Sequence, residues 1–469
     1  MSFDKRNQKG VVSLSNSIQD ICGEFIENVL KIVGNGENVQ LHEIEEGFGG
    51  ITDEFLRGVM AAYLREIDTV IRKDKDGRRE SGLSVERRGD PRTVTTKYGP
   101  VSYERTYYSN SKENNYEYTV DKVAGIEKYE RISLCLSRDL VAYASEVSYA
   151  KSALYGSKGS VSRQSVLNAV RKIDSKERFE KCKEKRNVKI LHISADEDHV
   201  ALQTGKNSQV PIVTVYEGLR RESKNRNRCI NSWNFSEYGL SNQSFWECVE
   251  DYIEEHYEVD KIERIYVHGD GAPWIKGGCE YLFKSAFVLD EFHINQALMR
   301  ATGGQQGKRK ALRESMIRAD WDTFNEVCAN LHNDAIEDTE KERIQTFYTY
   351  ITNNWDSIEI KIKEFCGGCC AEGHVSHVLS SRLSSRPMGW SKKSLKPMTV
   401  LLSKKANKTP IKITDFIRKT SEAKPLVNRA VSRAKRKLNT VNPDTLWSNY
   451  SLHSGKITPI YRVMKGISM

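Results

Sequence analysis

The stretch VKILHISADEDHVALQ (188–203) decides the fold, because the hydrophobic periodicity of the chain changes there. Apolar and β-branched residues run without a helical gap up to Asp196 and Asp198, as in a buried strand. A polar GKNSQ loop (205–209) leads to a second strand-like run, QVPIVTVYEGL (209–219). LSNQSFWECVEDYIEEHY (240–257) is amphipathic at helical spacing. KIERIYVHGDGA (261–272) is a strand ending in Asp270-Gly271, and SAFVLDEFHINQALM (285–299) passes from strand into helix. This alternation predicts an α/β fold with a mixed sheet. From about 305 to 365 the pattern is helical throughout (KRKALRESMI, DWDTFNEVCANLH, DTEKERIQTFYTYITNNW, DSIEIKIKEF), an all-helical insertion.

Upstream, VVSLSNSIQDICGEFIENVLKIV (11–33) and ITDEFLRGVMAAYLREIDTVI (51–71) repeat a helical apolar spacing. A basic connector follows from Arg72 to Arg92, then TVTTKYGPVSYERTYY (93–108), whose alternation around Gly99-Pro100 predicts a strand hairpin. Residues 133–173 suggest a helix-turn-helix: LSRDLVAYAS, SYAKSALYG, the breaker GSKGSV, and SRQSVLNAVRKI capped by Ser162. That last helix offers Arg163, Gln164, Asn168 and Arg171, side chains suited to base edges and phosphates.

Composition narrows the function classes. The 469 residues suffice for two or three domains, 29% are charged, and no apolar run approaches the ~20 residues of a membrane helix. The opening MSFDKRNQKG has no apolar stretch behind it, so no secretory signal is expected. Ten cysteines in such a chain read as reduced thiols, consistent with a cytoplasmic location, nucleoid-associated when bound to DNA. The net charge of +10 favours a polyanionic partner. Between Lys404 and Lys437 there are twelve Lys/Arg against two acids, either a solvated face or an arm that tracks phosphates.

Three acids stand where structure alone explains them poorly. Asp196 or Asp198 closes the first strand, Asp270 closes another, and Glu372 lies in CCAEGHVSH after the helical insertion. Side chains at strand ends of an α/β sheet converge on a crevice. Carboxylates gathered there repel one another unless a cation neutralises them, and hard oxygen donors suit Mg²⁺, with Mn²⁺ as a substitute. Two such ions activate an attacking oxygen and stabilise a leaving one in phosphodiester chemistry. Taken singly, each acid also reads as a turn or cap residue.

The order Asp, Asp, helical insertion, Glu resembles that of DDE transposases with a ribonuclease-H-like core. The phrases ADEDHVALQ, VHGDGAPWI, LDEFHINQAL, AEGHVSHVLSSRLSSRPMGWS and TKYGPVSYERTYY are similar to those of the ISLre-two insertion-sequence transposases, many once grouped as an uncharacterised protein family. The resemblance runs from about 90 to 400. It implies that Asp196, Asp270 and Glu372 are catalytic metal ligands, with Asp198 a rival to Asp196. It further implies binding of terminal inverted repeats and target DNA, cleavage at the element ends, transfer of 3′ hydroxyls, and a homo-oligomer assembled on DNA. A non-catalytic DNA-binding descendant and a structure-selective nuclease are the alternative functions.

Around that set, Arg382 and Arg386 are candidates for gripping phosphate, with Pro387 marking the end of their helix. Asp290 and His293, three apart at a strand–helix junction, are candidates to line the site or to form a cap with its histidine. Trp274 and Trp390 are candidates for base stacking or for the core. Cys366, Cys369, Cys370, His374 and His377 offer soft ligands, but their spacing is atypical of structural zinc. The expected organisation is a mainly helical N-terminal region (1–92), a hairpin and candidate helix-turn-helix (93–183), a ribonuclease-H-like mixed-sheet core (184–400) with its insertion, and a basic tail (401–469).

Overall fold

The computed structural model describes residues 5–33, 40–174, 178–223, 226–303, 305–364, 366, 369, 373, 375–386 and 388–416. The chain divides into two compact units, the second comprising Val141–Lys151 and Gln164–Ile417.

In the first unit, α1 (Lys5–Val33) and α2 (Leu41–Lys73) pair through apolar faces, with the Phe25 and Phe55 rings 4.8 Å apart. Helix α3 (Lys75–Ser81) and the long strand β1 (Leu83–Thr96) occupy most of the stretch read as a basic connector. That expectation fails because a run of arginines conceals the alternation of an exposed edge strand. β1 pairs antiparallel with β2 (Gly99–Asn110), Val94 opposite Val101, and β3 (Asn115–Glu117) completes the sheet. Ile67 and Ile71 of α2 pack with Val94, Tyr103 and Tyr108 of the sheet and with Val120 of α4 (Thr119–Ala124). Buried Asp68 adds direction to this apolar contact by accepting from the Thr106 amide (2.8 Å) and hydroxyl (2.7 Å). All three helices of the candidate helix-turn-helix form: α5 (Leu134–Ala144), α6 (Tyr149–Ser157) and α7 (Arg163–Val170).

The second unit is built on β4 (Ile190–Ala201), β5 (Asn207–Tyr216), β8 (Trp233–Phe235), β9 (Arg264–Gly269) and β10 (Ser285–Leu289). Their order is β10-β9-β4-β5-β8: β8, β5 and β4 are antiparallel, whereas β9 and β10 run parallel to β4. The mixed sheet is therefore as expected. The short third antiparallel strand, β8, was not expected, nor was a separate ribbon of β6 (Gly218–Ser223) and β7 (Arg226–Ile230) before it. Three residues are too few to display a period, and the ribbon is too polar to read as strand.

One face of the sheet (Leu191, Ile193, Ala195, Val213, Val215, Ile265, Val267) packs on Phe245, Trp246, Val249, Tyr252 and Ile253 of α8 (Asn242–His256). Ser241 caps α8, accepting from the Ser244 amide at 3.1 Å. A Cβ on Gly278 would lie 2.5 Å from the Trp246 ring, so only glycine admits that side chain.

After α9 (Pro273–Lys276) and β10, α10 (Glu291–Thr302) begins the helical insertion, which continues as α11 (Gln306–Ile317), α12 (Trp321–Asp334), α13 (Asp338–Thr352) and α14 (Trp355–Lys363). These helices share an apolar core of their own, with Leu298, Leu312, Phe324, Phe347, Ile351 and Trp355 buried together beside Leu289 at the end of β10. A π-helical segment (Val375–Ser380), α15 (Ser381–Leu383) and α16 (Lys392–Ala406) follow. Asn407, just after α16, covers the β8 edge, accepting from the Asn234 amide and donating to its carbonyl, both at 2.8 Å.

Candidate active site

Strand register places the acids. β4 and β9 pair to Ser194 opposite His268; two residues further, Asp196 lies level with Asp270. β9 and β10 pair to Gly269 opposite Leu289; one residue further, Asp270 lies level with Asp290. The Asp290 amide continues that pairing by donating to the Gly269 carbonyl at 2.9 Å. Three aspartates thus occupy one level across three adjacent parallel strands, which are spaced about 4.8 Å apart. Asp270 and Asp290 follow the last residues of β9 and β10, whereas Asp196 lies within β4, which does not close there as expected but runs on to Ala201 against β5. Asp198 sits one pleat beyond Asp196, paired with Val210, and accepts from the Ser384 hydroxyl (2.8 and 3.0 Å). Of the two candidates on β4, Asp196 is the one in line with Asp270.

The Asp270 turn is built for close approach. A Cβ on Gly269 would come within 2.7 Å of Ile275 and 3.1 Å of the Ala195 carbonyl. Gly271 has φ +95°, and its Cβ would meet Asn354 at 2.8 Å. Asp270 Oδ1 accepts from the Ala272 amide at 2.8 Å, and the Asp270 carbonyl accepts from the Tyr350 hydroxyl at 2.8 Å. Tyr350 belongs to α13 and Lys276 donates to the Asn353 carbonyl at 3.0 Å, so the helical insertion buttresses the turn.

Asp290 caps α10, accepting weakly from the Phe292 amide at 3.4 Å, and its Oδ2 lies 3.3 Å from His293 Nδ1. The cap with its histidine therefore forms, at the level of Asp270. The Asp290 hydrogen bond, then the charges of Asp196, Asp290 and Asp270, raise the His293 pKa against its burial. Burial pushes the Asp290 carboxyl up, but the His293 hydrogen bond and charge outweigh it and leave the pKa below the usual value. A fourth acid, Glu197, is held up by burial and by the charge of Asp270, while Trp274 Nε1 donates to it at 3.1 Å. Sequence reasoning passed over Glu197, since its neighbours on both sides carry the same charge.

Beneath the carboxylates, on the same face of β4, lie His192 and Ser194. His192 Nδ1 and His268 Nε2 are 3.1 Å apart and buried, stacked beside Tyr216. Burial, then its neighbour His192, lowers the His268 pKa to about 3, and burial lowers that of His192. The strand pattern alone hides this pair, because a histidine in a strand carries no mark of burial.

Glu372, Cys370, His374 and Pro387 lie outside the described residues. The chain on either side of Glu372 meets the acid-bearing face of β4: Cys369 Sγ is 3.2 Å from Ser194 Oγ, and Ser384 reaches Asp198. Among the described residues no group of three or more His, Cys, Asp or Glu is arranged to hold a metal ion. The donors that are described, buried Asp196 and half-buried Asp270 level on neighbouring strands, have the hard-oxygen chemistry of a Mg²⁺ site, and the third expected ligand is Glu372. Cys366 Sγ faces the Ile360 carbonyl at 3.8 Å and His377 is exposed, so the described members of the soft-ligand run point to separate surroundings.

One expectation about a cation is corrected, and the basic C-terminal run is placed in part. Arg382 is buried: its Nε donates to the Ala144 carbonyl at 2.9 Å, and its guanidinium lies over the Trp390 ring (4.9 Å) and the Tyr149 ring (5.7 Å). Burial lowers its pKa, which fits a packed cation rather than a phosphate grip. The helix stops at Leu383, leaving Arg386 exposed beyond it. In the basic C-terminal run, Lys404 is buried against Asp415 (3.1 Å), Lys405 pairs with Glu146 (3.4 Å) and Lys412 with Glu180 (2.8 Å). These lysines tie the chain to itself; the part beyond 416 lies outside the described residues.

Arg163, Gln164 and Asn168 of α7, and Arg171 just after it, are all exposed. Gln164 donates to Asn168 at 3.2 Å, and Arg171 donates to Ser394 (3.1 Å) and Ser391 (3.3 Å). Trp390 is core, its Nε1 donating to the Leu383 carbonyl at 3.0 Å, and Trp274 packs against the sheet core beside Trp246. Among the described residues no helix is long and apolar enough to cross a membrane.

Residues 35–419 match the model of an uncharacterised protein family, UPF0236. A UPF0236 protein of Caldanaerobacter subterraneus subsp. tengcongensis is 36% identical over 475 residues, covering 99% of this chain and 96% of the relative. A second from the same organism is 37% identical over 445 residues, covering 94% and 93%. With the likeness extending over nearly all of both chains, this protein belongs to the uncharacterised protein family UPF0236.

Proposed function

We propose that this protein is a DNA transposase with a ribonuclease-H-like core, cutting and joining DNA at Asp196, Asp270 and Glu372. The observation that carries the reading is the alignment of Asp196, within β4, with Asp270, at the end of the neighbouring parallel strand β9, in a sheet ordered β10-β9-β4-β5-β8. Numbered within the sheet, that order is 5-4-1-2-3, three antiparallel strands followed by two parallel ones, which is the arrangement expected of a ribonuclease-H-like core. A helical insertion between the second Asp and Glu372 accords with it. Repetition adds support: the name of one relative joins eleven locus designations from a single organism, the kind of multiplicity that a mobile element produces.

When bound at these carboxylates, Mg²⁺ would supply positive charge to the reacting phosphodiester. The chain's own contribution is placement. Gly269 and Gly271 let the Asp270 turn sit against β4, and Tyr350 holds its carbonyl. Asp290 fixes the His293 ring and favours its charged form beside the acids, which would offset negative charge when a phosphate enters.

Cleavage of labelled duplexes carrying the element ends, with Mg²⁺ or Mn²⁺, tests the reading. Asp270→Asn is expected to lower cleavage by about a thousand-fold (roughly 4 kcal/mol) while DNA binding persists. Glu372→Gln should do the same. Full strand transfer by both variants would overturn the assignment, and sequence-indifferent cutting of branched DNA would replace it with a nuclease.

A further inference from the structure

The β6–β7 ribbon plays no part in the site just described, and its construction calls for a partner. Residues 218–230 carry five Lys/Arg (Arg220, Arg221, Lys224, Arg226, Arg228) and one acid, Glu222. Within the ribbon Arg220 is the direct cross-strand partner of Arg228, and both are exposed. Like charges placed opposite each other destabilise an antiparallel pair. Glu222 offsets them only in part, lying 3.4 Å from Arg228. The two strands pack chiefly on one another. An isolated two-stranded ribbon is marginal in water by itself.

Its base, by contrast, is firmly held. The Glu217 amide donates to the Ile230 carbonyl at 3.0 Å. The Glu217 carboxylate accepts from Arg186 (2.7 Å) and from Asn231 (2.8 Å). A fixed base below an exposed, self-repelling cationic stem suits a ligand that brings closely spaced negative charges. The position matters as well. Ile212 lies opposite Asp196, whereas Tyr216, at the foot of the ribbon, lies opposite His192. The ribbon therefore leaves the sheet about 13 Å of strand away from the aspartate level, on the side where β4 begins.

We propose that the β6–β7 ribbon is a grip for duplex DNA, with Arg220 and Arg228 lying on backbone phosphates away from the reacting one. The major groove of a duplex admits a two-stranded ribbon, and six residues of strand give it a reach of about 20 Å. Duplex identity rests on the transposase reading above; the cationic ribbon and its opposed arginines do not.

The test uses the full chain and a fluorescein-labelled duplex of arbitrary sequence, with anisotropy followed across a salt series. Replacing Arg220 and Arg228 together by Gln should weaken binding and reduce the log K against log salt slope by about 1.8, from two contacts at about 0.9 each. Replacing both by Lys should restore slope and affinity. An unchanged slope in the glutamine variant, or no recovery with lysine, overturns the proposal. Tighter binding of a single-stranded RNA than of the duplex overturns the choice of partner. Cleavage assays on the same preparations separate the two ideas. A ribbon-dependent slope in a chain that cuts nothing refutes the catalytic reading alone, and normal cutting with no ribbon dependence refutes the grip alone.

Discussion

The two faces of β4 carry the same backbone and opposite chemistry. Leu191, Ile193 and Ala195 enter the apolar core against α8, while His192, Ser194, Asp196 and Asp198 are also buried on the other side. The first face stabilises the fold by removing area from water, about 25 cal/mol for each Å² of apolar surface. The second stabilises little, because every polar group taken from water must recover its hydrogen bonds and charges must find partners. A strand that spends half its buried side chains this way is organised around a function, and the expensive face is the one that meets Asp270, Asp290 and the chain flanking Glu372.

Substitutions can break or sharpen that contrast. Catalytic loss in Asp270→Asn should be the largest effect and should leave the unfolding free energy close to that of the parent. Trp246→Ala, on the apolar side, should do the converse: about 3–5 kcal/mol of stability lost in a urea titration, because a fully buried ring leaves a cavity beside Gly278. A destabilisation much below that range would show that the core collapses around the gap.

Acid should act strongly on the polar face. His268 has a folded pKa depressed to about 3, so the unfolded chain binds a proton more readily below its ordinary value of 6.5. Stability is therefore complete above about 6.5 and falls as the pH drops towards 3, with a slope of up to about 1.4 kcal/mol per pH unit for this one proton. His268→Leu should flatten that limb in stability measurements between those limits; an unaltered slope would mean that the acid sensitivity arises elsewhere. Ser384→Ala is the mildest change. It removes the hydroxyl that serves Asp198 and should cost about 1–3 kcal/mol in the same titration, with catalysis far less affected than by Asp196→Asn. Equal catalytic losses in Asp198→Asn and Asp196→Asn would erase the distinction that strand register draws between them.

Much of this molecule is legible in its sequence where local pattern is long and strong. The helices of the insertion and the β1–β2 hairpin follow from apolar residues that repeat with a regular period, and the β4, β5, β9 and β10 strands from apolar, β-branched runs bounded by turns. Asp270 stands out for a local reason as well, a strand end beside a glycine that the turn requires. What escaped was short or masked by charge: three-residue β8, the arginine-rich β6–β7 ribbon, and β1 within a basic stretch. Arg382 was misjudged because a guanidinium over Trp390 looks, in one dimension, the same as one facing solvent.

By itself the sequence determined the longer apolar helices and strands, the mixed α/β class and the candidate acids, since these depend on side-chain pattern and on chemistry carried by single residues. Only the tertiary structure decided which acids are neighbours. Asp196, Asp270 and Asp290 are far apart along the chain, and their level is set by hydrogen-bond register between strands, which a one-residue slip would destroy. Setting Asp196 rather than Asp198 level with Asp270, pairing Asp290 with His293 and withdrawing Arg382 from the surface all follow from that register and from burial, quantities that exist only once the chain has closed on itself.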